Sequence, residues 1–531
     1  MKITGQNQIG YSNSKGTGKA FKGFNATTLE NLEGDFYEAS EEDVNKALTL
    51  AAAAFPAFRS TSAEARASFL EAIALEIEAA GNDLIIRAVE ETALPEARIT
   101  GERGRTTGQL RMFANLLREG SWVEATIETA QPERVPLPKP DLRNMLVPIG
   151  PVVVFSASNF PLAFSTAGGD TASALAAGNP VIIKAHSSHP GTSYIVARAV
   201  ARAARKTNMP EGVFSHLFGS GFTTGTMLVK HPLTAAVAFT GSQSGGRALF
   251  DLAAARENPI PVFAEMGSTN PVFVFGDALA TRGEQAAAQL AASVTQGMGQ
   301  FCTKPGLIVV RKGDGYEKFE KAFVSELGKI QAGALLNERI IKNYKSKIEE
   351  LHNGKAITFL SDAGLVTGEP GHKARPAAAR VSAASFIANS HLHEELFGPY
   401  ALIVVCENDK EMVSVTNVLG GQLTLSIFAT AEEITGNITL VSMFREKAGR
   451  LVFNGVPTGV EVCSAMQHGG PYPASTDSRF TSVGTKAIRR FVRPVSFQGW
   501  PDAALPAELQ NSNPLAIMRQ VNGSHTKNAI G

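Results

Sequence analysis

Cys302 is the residue best equipped for covalent chemistry, because of the bends around it. It lies in Gln296-Gly297-Met298-Gly299-Gln300-Phe301-Cys302-Thr303-Lys304-Pro305-Gly306, between two glycines and a Pro-Gly pair. A nucleophilic thiolate needs a bent backbone that presents it to substrate, with N–H groups nearby to receive an oxyanion. The competing reading is a buried core residue, since free cysteine packs as a small hydrophobe. Other reactive groups close apolar runs. Asn159 follows Pro151-Val152-Val153-Val154-Phe155 and either caps a helix or donates to an oxyanion. Glu265 ends Val262-Phe263-Ala264, where a carboxylate is ion-paired or, in a semi-apolar site, a general base. Lys184 ends Val181-Ile182-Ile183, as a snorkelling surface group or as a contact to an anion or ribose. Thr240-Gly241-Ser242-Gln243-Ser244-Gly245-Gly246-Arg247 is a glycine-rich turn that could set backbone N–H groups against a pyrophosphate. It matches neither the six-residue Rossmann fingerprint nor the P-loop, and an ordinary strand-to-helix turn would look the same.

The elements that must hold these groups alternate along the chain. Helices are expected over 41–58, 62–82 and 105–118, the first opened by Ser40 and three acidic residues. Strands over 151–155, 181–184 and 235–239 alternate with helices over 172–177 and 193–205. That pattern predicts a mostly parallel α/β sheet, with ligands at the carboxyl ends of its strands. A second α/β unit begins near Pro261 and contains Cys302. Pro136-Leu137-Pro138-Lys139-Pro140 reads as a stiff extended connector, and the tail beyond Pro501 as loop. At 531 residues the chain exceeds one compact core, so several domains are expected.

Composition excludes some functions. Fifty basic against 49 acidic residues argues against nucleic acid or an anionic membrane as the main partner. Cys302, Cys406 and Cys463 are too few for a disulfide scaffold and suggest a reducing, cytoplasmic setting. Cys406, in an apolar run, reads as core. Neither a secretory signal nor a membrane-length apolar stretch is evident, so a soluble intracellular protein is expected.

The order Asn159-Phe160-Pro161, Ile183-Lys184, Phe239-Thr240-Gly241-Ser242, Glu265-Met266-Gly267, Cys302 and Glu395-Leu396-Phe397-Gly398-Pro399 resembles the NAD(P)-dependent aldehyde dehydrogenase superfamily from about residue 20 to about residue 500. Leu94–Arg98 with Gly101–Arg111, Pro457–Val462 and Met466–Pro473 are similar to α-ketoglutaric semialdehyde (2,5-dioxovalerate) dehydrogenases and to NADP-dependent fatty aldehyde dehydrogenases. The usual Pro-Phe-Gly-Gly run is absent, and His468-Gly469-Gly470 stands in its place.

The resemblance implies an aldehyde dehydrogenase fold of class α/β. A Rossmann-like cofactor domain would span 1–122 and 149–260, and a catalytic domain 261–455. A small β oligomerisation arm would take 123–148 and 485–500, leaving 501–531 as the tail. It implies Cys302 as nucleophile, Glu265 as the base for water and Asn159 as the oxyanion donor. It implies a cofactor cradle in which Lys184 meets the adenosine ribose or its phosphate and Ser242 the pyrophosphate. Glu395 would meet the nicotinamide ribose, Phe397 would pack near the nicotinamide, and Gly241 and Gly246 would let the backbone approach. Ser187 stands where NAD-preferring relatives carry a glutamate, which favours NADP, with NAD possible. Arg105, Phe160, Phe301 and His468 are the substrate-side candidates, and no metal is expected. Arg105 would receive a substrate carboxylate, unless the arginines of this helix simply pair with Glu96 and Glu102. A long apolar tunnel for a fatty aldehyde is the alternative. Two other classes are a cysteine hydrolase with His468 as base and a silent structural protein. A homodimer or homotetramer is expected.

Overall fold

The computed structural model describes residues 2–530 apart from 17, 355, 363 and 366–371. Two seven-stranded sheets carry the chemistry. The first runs in the order Val262–Glu265, Ala236–Thr240, Val152–Phe155, Val181–Lys184, Phe214–Leu217, Asn7–Ile9, Ser12–Ser14. Its first five strands are parallel, and the two N-terminal strands close one edge antiparallel. The parallel strands are near-continuous β-branched and apolar runs because helices cover both faces. Chain order reverses direction between Val152–Phe155 and Ala236–Thr240, which opens a crevice at the carboxyl ends of these two strands.

The second sheet orders Thr358–Phe359, Ala377–Ser382, Tyr400–Cys406, Leu307–Arg311, Val272–Val274, Gln422–Phe428, Ala448–Phe453, parallel except at its first pair. Cys406 is fully buried in it. A separate five-stranded sheet, which includes the segments expected as an arm, runs in the order Val492–Gln498, Leu142–Pro148, Thr126–Glu128, Arg519–Val521, Ser524–Thr526.

The structure corrects four local expectations. The segment expected as one helix over 62–82 ends at Ala79, and a new helix, Gly81–Thr92, starts after a backbone break at Gly81, where φ is +56°. The helix expected over 105–118 begins at Glu96. Gly101, Gly104 and Gly108 depress its intrinsic propensity, and packing against Ala63–Ala79 overrides them. The Pro136–Pro140 run is not extended: reciprocal backbone hydrogen bonds between Gln131 and Lys139 (2.9 and 3.0 Å) close it into a turn. The tail beyond Pro501 holds two short strands that join the arm, because Thr126–Glu128 offers an edge that Arg519–Val521 covers in parallel.

Candidate active site

Glu265 is the last residue of its strand, in register with Thr240 on the neighbouring strand. Its carboxylate is buried, 4% exposed. Oε2 accepts the Ser482 hydroxyl proton, and Oε1 lies 3.1 Å from His468 Nε2. The same Nε2 is 3.5 Å from Cys302 Sγ. Three groups far apart in sequence thus converge. Burial pushes the Glu265 carboxyl up, but His468, Ser482 and Arg490 together outweigh it and hold the group below the usual carboxylate value. Burial pushes the Cys302 thiol well above its ordinary value; the Glu265 carboxylate adds to this and the Arg105 guanidinium opposes it. The sulfur therefore rests as a thiol near neutrality, beside groups able to take its proton.

The Cys302 loop owes its shape to close backbone approach. Gly297, Met298 and Gly299 all have positive φ, and a Cβ on Gly299 would lie 2.1 Å from the Gly398 carbonyl oxygen. Only glycine fits there, so the Cys302 loop and the Glu395–Gly398 segment lie against each other. Asn270, itself at φ +47°, donates through Nδ2 to the carbonyls of Cys302 (2.8 Å) and Lys304 (3.0 Å). Thr424 donates to its Oδ1. Lys304 is buried and donates to Leu396 O (2.9 Å) and Tyr400 O (3.1 Å). Asn159 Nδ2 donates to Gln300 O at 2.9 Å, which turns its amide toward this loop and leaves its second N–H available.

The substrate side is an apolar cluster of Ala157, Phe160, Ala163, Phe164, Phe301 and Val483. Phe160 and Phe301 meet edge-to-face at 5.2 Å. Arg98 lies over Phe160 at 4.6 Å, and Arg105 over Phe164 at 5.2 Å. Arg98 is paired with Glu102 at 2.6 Å. Arg98 keeps one buried nitrogen, Nη2, without a hydrogen-bond partner among the described residues, whereas Arg105 has two, Nε and Nη2. Glu102 also accepts the backbone N–H groups of Leu162 and Ala163, both at 2.9 Å, and so fixes the loop after Asn159. Arg450, which the sequence had not singled out, is a further cation within electrostatic reach of Cys302.

Of the residues expected to cradle a cofactor, Lys184, Gly241 and Ser242 lie at or just beyond strand ends flanking the crevice, whereas Glu395 and Phe397 lie on the segment packed against the Cys302 loop. Ser242 caps the helix Gln243–Ala254, its hydroxyl accepting from Gly245 N at 3.2 Å, so that helix N-terminus is formed and exposed. A Cβ on Gly241 would strike the Phe239 ring, and one on Gly246 would strike Met266. Lys184 is buried, and burial lowers its pKa to about 8. Ser187 is exposed just beyond it. Glu395 sits over Gly267, where a Cβ would come 2.4 Å from Oε2, and Phe397 is half-buried two residues on. Burial raises the Glu395 carboxyl to about 7 against the opposing pull of Lys304. The hydroxyls of Ser156 and Thr240, immediately after and at the end of the two strands flanking the crevice, are buried without partners among the described residues. Orphaned hydroxyls, an open helix N-terminus and side-chain-free turns at a switch point suit a dinucleotide.

A family model described as the aldehyde dehydrogenase family matches residues 13–488. The chain is 48% identical over 527 residues to alpha-ketoglutaric semialdehyde dehydrogenase 2 of Azospirillum brasilense, covering 98% of this chain and 99% of that protein. It is 44% identical over 513 residues to alpha-ketoglutaric semialdehyde dehydrogenase of Acinetobacter baylyi, covering 95% and 97%. Among solved structures, betaine aldehyde dehydrogenase of Staphylococcus aureus in complex with NAD+ superposes with a TM-score of 0.81 at 19% identity, over 94% of this chain and 96% of that one. The fold, the matched length and these relatives agree, and the chain belongs to the aldehyde dehydrogenase family, oxidoreductases that act on aldehydes.

Proposed function

We propose that this chain oxidises 2,5-dioxovalerate (α-ketoglutaric semialdehyde) to 2-oxoglutarate, with NADP as hydride acceptor. The observation that carries the substrate is Arg105: a buried guanidinium with two unpartnered nitrogens beside Cys302 wants an anion, and the distal carboxylate of a semialdehyde supplies one. The names of the two relatives at 48% and 44% identity support the same reading.

In this mechanism the Cys302 proton passes to His468 Nε2, which leaves Glu265 ionised, and the thiolate attacks the aldehyde carbon. The second N–H of Asn159 and the backbone N–H of Cys302 hold the oxyanion. The bound dinucleotide supplies hydride acceptance. Cys302 is left as a thioester, and Glu265 takes a proton from water as that water attacks the acyl carbon. The carboxylic acid leaves and the thiol is restored. Lys184 and Ser187 would hold the ribose phosphate, Ser242 and its helix N-terminus the pyrophosphate, and Glu395 the nicotinamide ribose, with Phe397 alongside. We read the arm as an oligomerisation element and the enzyme as cytoplasmic.

The substrate reading is tested by comparing 2,5-dioxovalerate with a long-chain aldehyde in NADPH formation, then repeating with Arg105→Ala. The expected result is a carboxylate-specific fall in kcat/KM of roughly 10–100-fold, the worth of a charged hydrogen bond. Faster turnover of the long-chain aldehyde by the parent enzyme would reject it. The cofactor reading is tested by Ser187→Glu, which should move preference from NADP toward NAD; a parent enzyme with the higher kcat/KM for NAD would overturn it. The 3.5 Å contact of Cys302 with His468 also favours a secondary, cofactor-independent ester hydrolysis. Retention of that activity in Glu265→Ala would assign it to His468.

A further inference from the structure

We infer that Cys302, His468 and Glu265 together form a binding site for a zinc-like divalent cation, occupied in competition with the aldehyde. Sγ, Nε2 and a carboxylate oxygen lie within 4.8 Å of one another. A tetrahedral zinc ion bonds sulfur at about 2.3 Å and nitrogen or oxygen at about 2.0–2.1 Å, so its ligand atoms sit about 3.6 Å apart for S and N and about 3.3 Å apart for N and O. The corresponding separations here are 3.5 and 3.1 Å. A second observation points the same way. Glu265 Oε1, on a side chain 4% exposed, lies close to Nε2 yet makes no hydrogen bond with any described residue.

The donor set selects the ion. Thiolate, imidazole and carboxylate favour zinc or cobalt over magnesium or calcium, which prefer oxygen alone. Three protein ligands leave a fourth position for water. On binding, the Sγ–H bond breaks, its proton leaves to solvent, and the Sγ–metal bond forms without change of oxidation state. The metal-bound sulfur then cannot attack an aldehyde, so occupancy is reversible inhibition. His468 Nδ1 has no partner among the described residues, so the site lacks the outer support that steadies a metal-bound imidazole. Affinity should accordingly be about 10–100-fold weaker than in a fully supported site.

The inference is independent of which aldehyde the enzyme takes. The test titrates the full-length enzyme with cobalt(II) chloride under reducing conditions and records the absorption spectrum. A thiolate-to-cobalt charge-transfer band with intense tetrahedral d–d bands, saturating at one equivalent per chain, is the expected result. The band should vanish in Cys302→Ala and, without any mutation, in enzyme whose Cys302 has been alkylated. It should persist in Cys463→Ser. His468→Gln should weaken zinc binding, read by competition with a chromophoric chelator, by more than the roughly 10–100-fold that an outer-shell partner is worth. Zinc chloride should inhibit NADPH formation competitively with aldehyde, and chelator should restore it fully. Absence of the charge-transfer band, or a band that survives Cys302→Ala or is lost in Cys463→Ser, would overturn the assignment.

Discussion

At the scale of single residues, the site separates two carboxylates by environment. Glu265 is held ionised by His468 and Ser482 despite its burial, whereas at Glu395 burial outweighs Lys304 and a backbone hydrogen bond from Ser268 and raises the carboxyl to about 7. Both make predictions. The Glu265 charge raises the Cys302 thiol, so Glu265→Gln should move the pH midpoint of Cys302 alkylation downward while stopping steady-state turnover. An unchanged or higher midpoint, measured by iodoacetamide inactivation in a Cys463→Ser background, would remove Glu265 from contact with the sulfur. For Glu395, the ionised form accepts ribose hydroxyls better than the protonated one. Its raised pKa therefore places the gain at increasing pH: KM for NADP should fall as pH rises through about 7. Glu395→Gln should flatten that profile, and a parent profile already flat between pH 6 and 8 would count against the contact.

At the scale of elements, Glu102 links a helix to the loop after Asn159. It sits on Glu96–Glu119, pairs with Arg98 and accepts from Leu162 and Ala163, all with its side chain buried. Glu102→Ala should cost about 3–5 kcal/mol of stability, since it strands a guanidinium and two N–H groups. A denaturant midpoint within error of the parent would contradict this. What could be read from sequence follows the same division. The strand-end positions of Lys184 and Glu265 were legible because a short apolar run ending in a charged residue marks a strand end by itself. Cys302 was legible from its glycines. Asn270 and Lys304 were not, because each acts on partners remote in the chain: Asn270 joins Thr424 to the Cys302 loop, and Lys304 reaches Leu396 and Tyr400. The start of the helix at Glu96 was hidden for a different reason, its glycines contradicting a helix that only tertiary packing secures.

At the scale of the molecule, two sheets end in strands with one side unpaired among the described residues. Val492–Gln498 is outermost in the arm, and Ala448–Phe453 is outermost in the second large sheet, with Phe453 55% exposed and Leu451 37%. Such edges can pair with another chain, and the proposed oligomerisation would use them. Phe453→Asp should lower the sedimenting mass toward that of one chain, about 56 kDa, in analytical ultracentrifugation. If the parent already sediments as one chain, neither edge is an oligomer interface.

His468 offers a single nitrogen to two neighbours, Sγ at 3.5 Å and Oε1 at 3.1 Å. The two contacts need opposite roles of that atom: an Nε2 lone pair accepts the Sγ–H, whereas only Nε2–H can donate to the Glu265 carboxylate. In the proposed mechanism Nε2 therefore engages Oε1 once it holds the proton that sulfur has given up, and the two halves of turnover are kept in sequence by one proton on one nitrogen.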